Sequence, residues 1–123
     1  MVINNDKRIK DIQEEFSSIY PGLKLEFFKE KHNVGQGSKN ESKLDRYSSL
    51  SSICKNIKAS DLIIRDDMTV AELEKQFEES YSLNVQVYRK SNELWLQTIN
   101  TDNWTIEKQN LKGIHSQEPQ IEL

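Results

Sequence analysis

The residues with the clearest chemical potential lie in one polar stretch. Gly35-Gln36-Gly37-Ser38 follows an alternating apolar run, and Lys31, His32 and Lys39 flank it. Glycines let backbone N–H donors approach an anion, and the flanking side chains would add positive charge. This pattern predicts an anion-binding loop at His32, Gly35, Gly37 and Lys39. It also admits a small enzyme that pairs the loop with a carboxylate such as Asp66 or Asp67. The motif is incomplete, however. No third glycine follows, no Gly-Lys-Ser/Thr occurs, and no long helix begins there. The plainer reading is a mobile surface loop. His115 lies far from His32, and neither has a partner at ligand spacing, so no metal and no cofactor is expected. Cys54 sits on an apolar stripe and reads as core rather than nucleophile. Asp66-Asp67 precede a helix start, where the dipole favours negative charge. No catalytic residue is assigned.

A second group could bind rather than react. Leu25, Phe27, Val85, Val87, Leu94 and Leu96 are in phase as the inward set of three strands. Phe28, Tyr88 and Trp95 are out of phase with that set, so they fall on the other sheet face. With Ser91-Asn92 as the turn, Lys90 would pair with Glu93 and Tyr88 with Trp95. Such rings can simply pair across strands, or lie under Trp104 or the tail with Ile114 and Ile121. Left open, they would form an apolar patch that needs a cover. The expected cover is a protein partner, with a second copy of the chain favoured. Single-stranded nucleic acid stacking on the rings is a weaker alternative.

These side chains depend on a helix–strand–strand unit over 68–99. Thr69 and Glu72 form a capping box, and Met68 and Leu73 a hydrophobic staple. Val70, Leu73, Phe77 and Tyr81 then recur at helical spacing. The period switches to two at Leu83, Val85 and Val87. An earlier stretch has the same pattern. Ile9, Ile12, Phe16 and Tyr20 match Val70, Leu73, Phe77 and Tyr81 at an offset of 61. LKLEFFKE (23–30) matches LNVQVYRK (83–90) at an offset of 60. Asn5 or Asp6 can cap the first helix, and Pro21-Gly22 ends it. Residues 48–57 predict a short helix, 61–66 a strand, and 104–109 a short helical segment. The remainder, 111–123, predicts a poorly ordered tail.

The chain has 123 residues, enough for one domain over 1–110. Repeat 1 would cover about 6–66 and repeat 2 about 68–110. The fold expected is α+β: a two-layer sandwich with two main helices on one face of a four-stranded, mainly antiparallel sheet, comparable to a circularly permuted ferredoxin-like arrangement. Net charge is −3, which gives no overall attraction to nucleic acid or anionic membrane. Charge is uneven, with eight Lys/Arg against four Asp/Glu in 21–60 and six against twelve in 61–123. No run approaches a membrane span, MVINNDKRIK lacks a signal-peptide h-region, and there is one cysteine. A cytoplasmic setting is expected.

LNVQVYRKSNELWLQT (83–98), followed by TDNWTIEKQN (101–110), resembles the C-terminal signature of a family of small uncharacterised bacterial proteins. LKLEFF (23–28) and the helix before it extend the resemblance to most of the chain except the tail. It implies a bacterial, cytoplasmic origin and carries over no activity, cofactor or catalytic residue. The function expected is therefore a non-enzymatic protein-binding or regulatory domain that uses the outer sheet face.

Overall fold

Two capped helices and the strands that follow them set the architecture. The computed structural model describes residues 1–29, 42–53 and 60–116. The chain is α+β, with four helices and two antiparallel sheets in these residues. The element order is β1 (Val2–Ile3), α1 (Ile9–Ile19), β2 (Leu23–Phe28), α2 (Leu50–Ile53), β3 (Ser60–Asp61), α3 (Val70–Tyr81), β4 (Asn84–Ser91), β5 (Leu94–Gln97) and α4 (Ile106–His115).

Thr69 caps α3 by accepting from Glu72 N at 3.1 Å, and Ser82 ends it in the left-handed region at φ 54°. The start of α1 differs from the expected Asn5 or Asp6 cap. Asn4 Oδ1 accepts from the N–H groups of Asp6 and Lys7 instead. Asp11 then accepts from Arg8 N at 2.9 Å. The reason is a turn inserted before the helix, which leaves Arg8 as the half-in residue.

The main sheet has the order β2-β4-β5, with Leu23↔Arg89 through Phe28↔Asn84 as the first ladder. Leu25, Phe27, Val85 and Val87 share one core with Ile9, Ile12 and Phe16 of α1 and Val70, Leu73 and Phe77 of α3. Phe27 and Phe77 meet edge to face at 5.9 Å.

The expected four-stranded sheet is corrected to three strands plus a separate pair. Of the strand expected over 61–66, only Asp61 enters a strand, the two-residue β3, whose partner is Val2–Ile3. Leu62 is nevertheless buried and Ile63 exposed, as the alternation required. The outer edge of β2 is partly covered by 42–44. Lys29 N donates to Ser42 O and Leu44 N to Phe27 O, which makes Phe28↔Lys43 an isolated bridge.

The helix starts are joined in pairs. Ile9 N donates to Ser48 O, and Leu50 N donates back to Lys7 O. In the same way Val70 N donates to Trp104 O and Ile106 N to Met68 O. These bonds use N–H groups that a helix cannot satisfy internally.

The tail expected from residue 111 is also corrected, because α4 continues to His115. Its buried face is made of Ile106, Gln109 and Gly113, so no apolar period marks it. Gln109 is buried but bonded, from Nε2 to Thr101 O and Oγ1 and through Oε1 to Arg89. Gly113 lies on Gly22, and a Cβ at Gly113 would sit 2.3 Å from Gly22 O. No helix among the described residues is long and apolar enough to cross a membrane.

Candidate functional site

Strand register decides which side chains reach the outer face. Lys24 pairs with Tyr88, Glu26 with Gln86 and Phe28 with Asn84. Lys90 pairs with Trp95 and Tyr88 with Gln97. The turn is therefore Asn92-Glu93, not Ser91-Asn92, and Trp95 does not face Tyr88 directly. Asn92 adopts φ 54°, which asparagine tolerates in a two-residue hairpin turn. The pairing moves by an even number of residues, so Phe28, Tyr88 and Trp95 keep the common face read from the sequence. Leu94 and Leu96 keep theirs too, but they are 67% and 43% exposed. The helices pack against β2 and β4 and leave that side of β5 open.

The three rings are not equivalent. Phe28 and Tyr88 are 1% and 5% exposed, although neither belongs to the main core cluster. Two of the three are thus already out of water within one chain, and Trp95 is half-buried. Gln97 Nε2 donates to Tyr88 Oη at 2.9 Å. Burial, with a smaller contribution from the Glu26 charge, raises the Tyr88 phenol, and the Gln97 bond opposes the rise.

Lysines surround the rings. Lys24 Nζ lies 5.2 Å from the Tyr88 ring centre and 5.1 Å from that of Trp95. Lys43 Nζ is 5.2 Å from Tyr88, and Lys90 Nζ is 5.9 Å from Trp95. All are within cation–π range. Lys24 also pairs with Glu26 at 3.4 Å.

Trp95 forms one wall of a cavity of about 270 Å³ at the β2 edge. Lys24, Glu26 and Leu25 line it from β2, Glu14 from α1, and Arg46 from beyond the 42–44 bridge. Arg46 pairs with Glu14 at 3.6 Å. Where 42–44 leaves β2, side chains of α1 take over its edge. Ser17 Oγ donates to Leu23 O at 3.0 Å and Gln13 Nε2 to Leu25 O at 2.8 Å. On the other side Glu74 of α3 accepts from Val87 N at 3.0 Å, where β5 ends. These stretches of the β2 and β4 edges are thereby closed to indiscriminate pairing.

The remaining sequence candidates fall elsewhere. His32, Gly35, Gly37 and Lys39 lie outside the described residues, as does Cys54. Asp66 accepts from Tyr20 Oη at 2.8 Å. Burial, that hydrogen bond, and the charges of Asp66 and Glu107 all push the Tyr20 phenol up. Asp67 pairs with Arg65 at 3.4 Å. No group of three or more His, Cys, Asp or Glu that could hold a metal occurs among the described residues.

Sequence reasoning missed one cluster. Trp104 lies 4.1 Å from Lys108 Nζ and 5.6 Å from the Arg89 guanidinium, and Arg89 bonds Gln109 at 3.0 Å. The four-residue spacing of Trp104 and Lys108, inside the helical segment expected over 104–109, was a usable signal for it.

Compared with known proteins, the chain matches no family model, no curated protein and no solved structure.

Proposed function

We propose that this chain is a non-enzymatic protein-binding or regulatory domain whose contact surface is the outer sheet face around Trp95. One observation carries the reading: Trp95 is half-buried beside a cavity with charges of both signs, whereas Phe28 and Tyr88 are closed off. A half-exposed tryptophan among charged rim residues is the composition of a contact centre. A small enzyme built on His32–Lys39 is the weaker reading, since Asp66 is engaged by Tyr20 and Asp67 by Arg65. Single-stranded nucleic acid is weaker too, because only Trp95 of the three outer-face rings is open for stacking.

The partner is a second copy of the chain or another cytoplasmic protein, in keeping with the bacterial family whose signature the sequence resembles. The two halves are read as an internal duplication. Their paired helix starts have the same pattern of backbone hydrogen bonds, which supports it.

Capture from the native cell extract, with wild type and Trp95→Ser side by side, tests the contact surface. A protein held by the wild type should be lost by the variant while its circular dichroism is unchanged. Equal retention by both would remove this face from the function. Sedimentation at high micromolar concentration separates the two partner types. Self-association of the wild type, weakened in Trp95→Ser, identifies a second copy.

A further inference from the structure

We infer that the Trp95 face takes an extended acidic peptide segment; this rests on the protein-binding reading above and names the chemistry of the partner. Lys24, Lys43 and Lys90 place three ammonium groups within 5.9 Å of the Tyr88 and Trp95 ring centres. Lys24 has a carboxylate neighbour in Glu26. Neither Lys43 nor Lys90 forms an ion pair among the described residues. The face is therefore locally cationic in a chain whose net charge is −3. The net negative charge of the whole chain repels an acidic ligand, so any binding of one must come from a local patch.

Two features favour a peptide over a nucleic acid. Stacking of successive bases needs successive open rings, and Tyr88 and Phe28 are buried. The cavity beside Trp95 also carries Glu14 and Glu26. Those carboxylates oppose a continuous phosphate backbone, but they can accept the N–H donors of a peptide whose own carboxylates reach the lysines. Trp95 supplies apolar area for a neighbouring side chain.

The test uses the full chain with Trp104→Phe, so that emission reports Trp95 alone, titrated with polyglutamate at pH 7.5. Saturable change in emission is expected, weakening several-fold between about 50 and about 200 mM salt. Lys43→Ala with Lys90→Ala should weaken binding about tenfold, and Lys43→Arg with Lys90→Arg should restore it. Circular dichroism verifies that each variant is folded. No saturable response to polyglutamate, or equal affinity in the alanine pair, overturns the inference. Tighter binding of oligothymidylate than of polyglutamate overturns it in favour of nucleic acid. If polylysine moves Trp95 emission and polyglutamate does not, the acidic peptide is wrong while the contact face stands. If neither moves it and Trp95→Ser leaves captured proteins and self-association unchanged, both readings fall.

Discussion

The two joints between helix starts use one hydrogen-bond scheme with different side chains. At α3 and α4 both caps are threonine, accepting from Glu72 N at 3.1 Å and Lys108 N at 3.2 Å. At α1 and α2 the equivalent positions are Arg8 and Ser49. Arg8 donates its side chain to Tyr47 O, and Ser49 Oγ is bonded to Ser51 Oγ. α4 also docks on Gly22. The backbone bonds are common to both joints, whereas the threonine caps belong to the second alone.

The largest break in that comparison should come from the docking surface. Gly113→Ala places a Cβ 2.3 Å from the carbonyl oxygen of Gly22, which is backbone and cannot swing away. Such overpacking costs about 2–3 kcal/mol. Urea unfolding should show it, with loss of helical signal from α4. Ser52→Ala in α2 should leave the midpoint almost unchanged.

Tyr20→Phe comes next. It removes the hydroxyl that ties the end of α1 to Asp66 at the second joint. A hydrogen bond to a charged acceptor is worth about 1.5–3 kcal/mol, and partial exposure puts this one at the low end. Tyr81→Phe loses only the neutral bond to Ser60 Oγ and should cost about 1 kcal/mol. Equal costs would show that the bond to Asp66 has no special role.

The caps give a smaller contrast. Thr69→Ala and Thr105→Ala should each cost about 1 kcal/mol, and Ser49→Ala clearly less. Chemical denaturation of the three variants would reveal whether the first joint depends on its side chains at all.

A pH effect follows from the two buried phenols. Tyr20 and Tyr88 are both raised above the ordinary 10.0, chiefly by burial. Below pH 10 each is protonated in both states, so the stability is fully present. Above it the unfolded chain releases protons that the folded chain holds, and stability falls as pH rises. Denaturation at pH 8 and pH 11 should show the decline, and Tyr20→Phe should make it shallower.

Much of the fold is legible in the local pattern of the chain. The capping box at Thr69, the stripe Val70–Leu73–Phe77–Tyr81 and the alternation of β2 and β4 are local signals that agree with each other. Alternation also placed Phe28, Tyr88 and Trp95 on one face, because side-chain direction survives an even change of register. What local pattern does not contain is what lies above a face. The burial of Phe28 and Tyr88, and the lysines around them, could not be read from their own strands.

The sequence by itself determined where the two main helices run, which strands follow them, and which side chains point inward. Period and capping act over a few residues, so they are written in the chain. Only the tertiary structure decided that Ser60–Asp61 pairs with Val2–Ile3 instead of entering the main sheet. It alone extended α4 to His115, since that helix buries a glycine against a glycine and a glutamine among its hydrogen-bond partners. It alone left Trp95 as the open ring of the three. Each of these depends on contacts between residues distant in the chain, and a one-dimensional pattern of apolar and polar side chains carries no record of them.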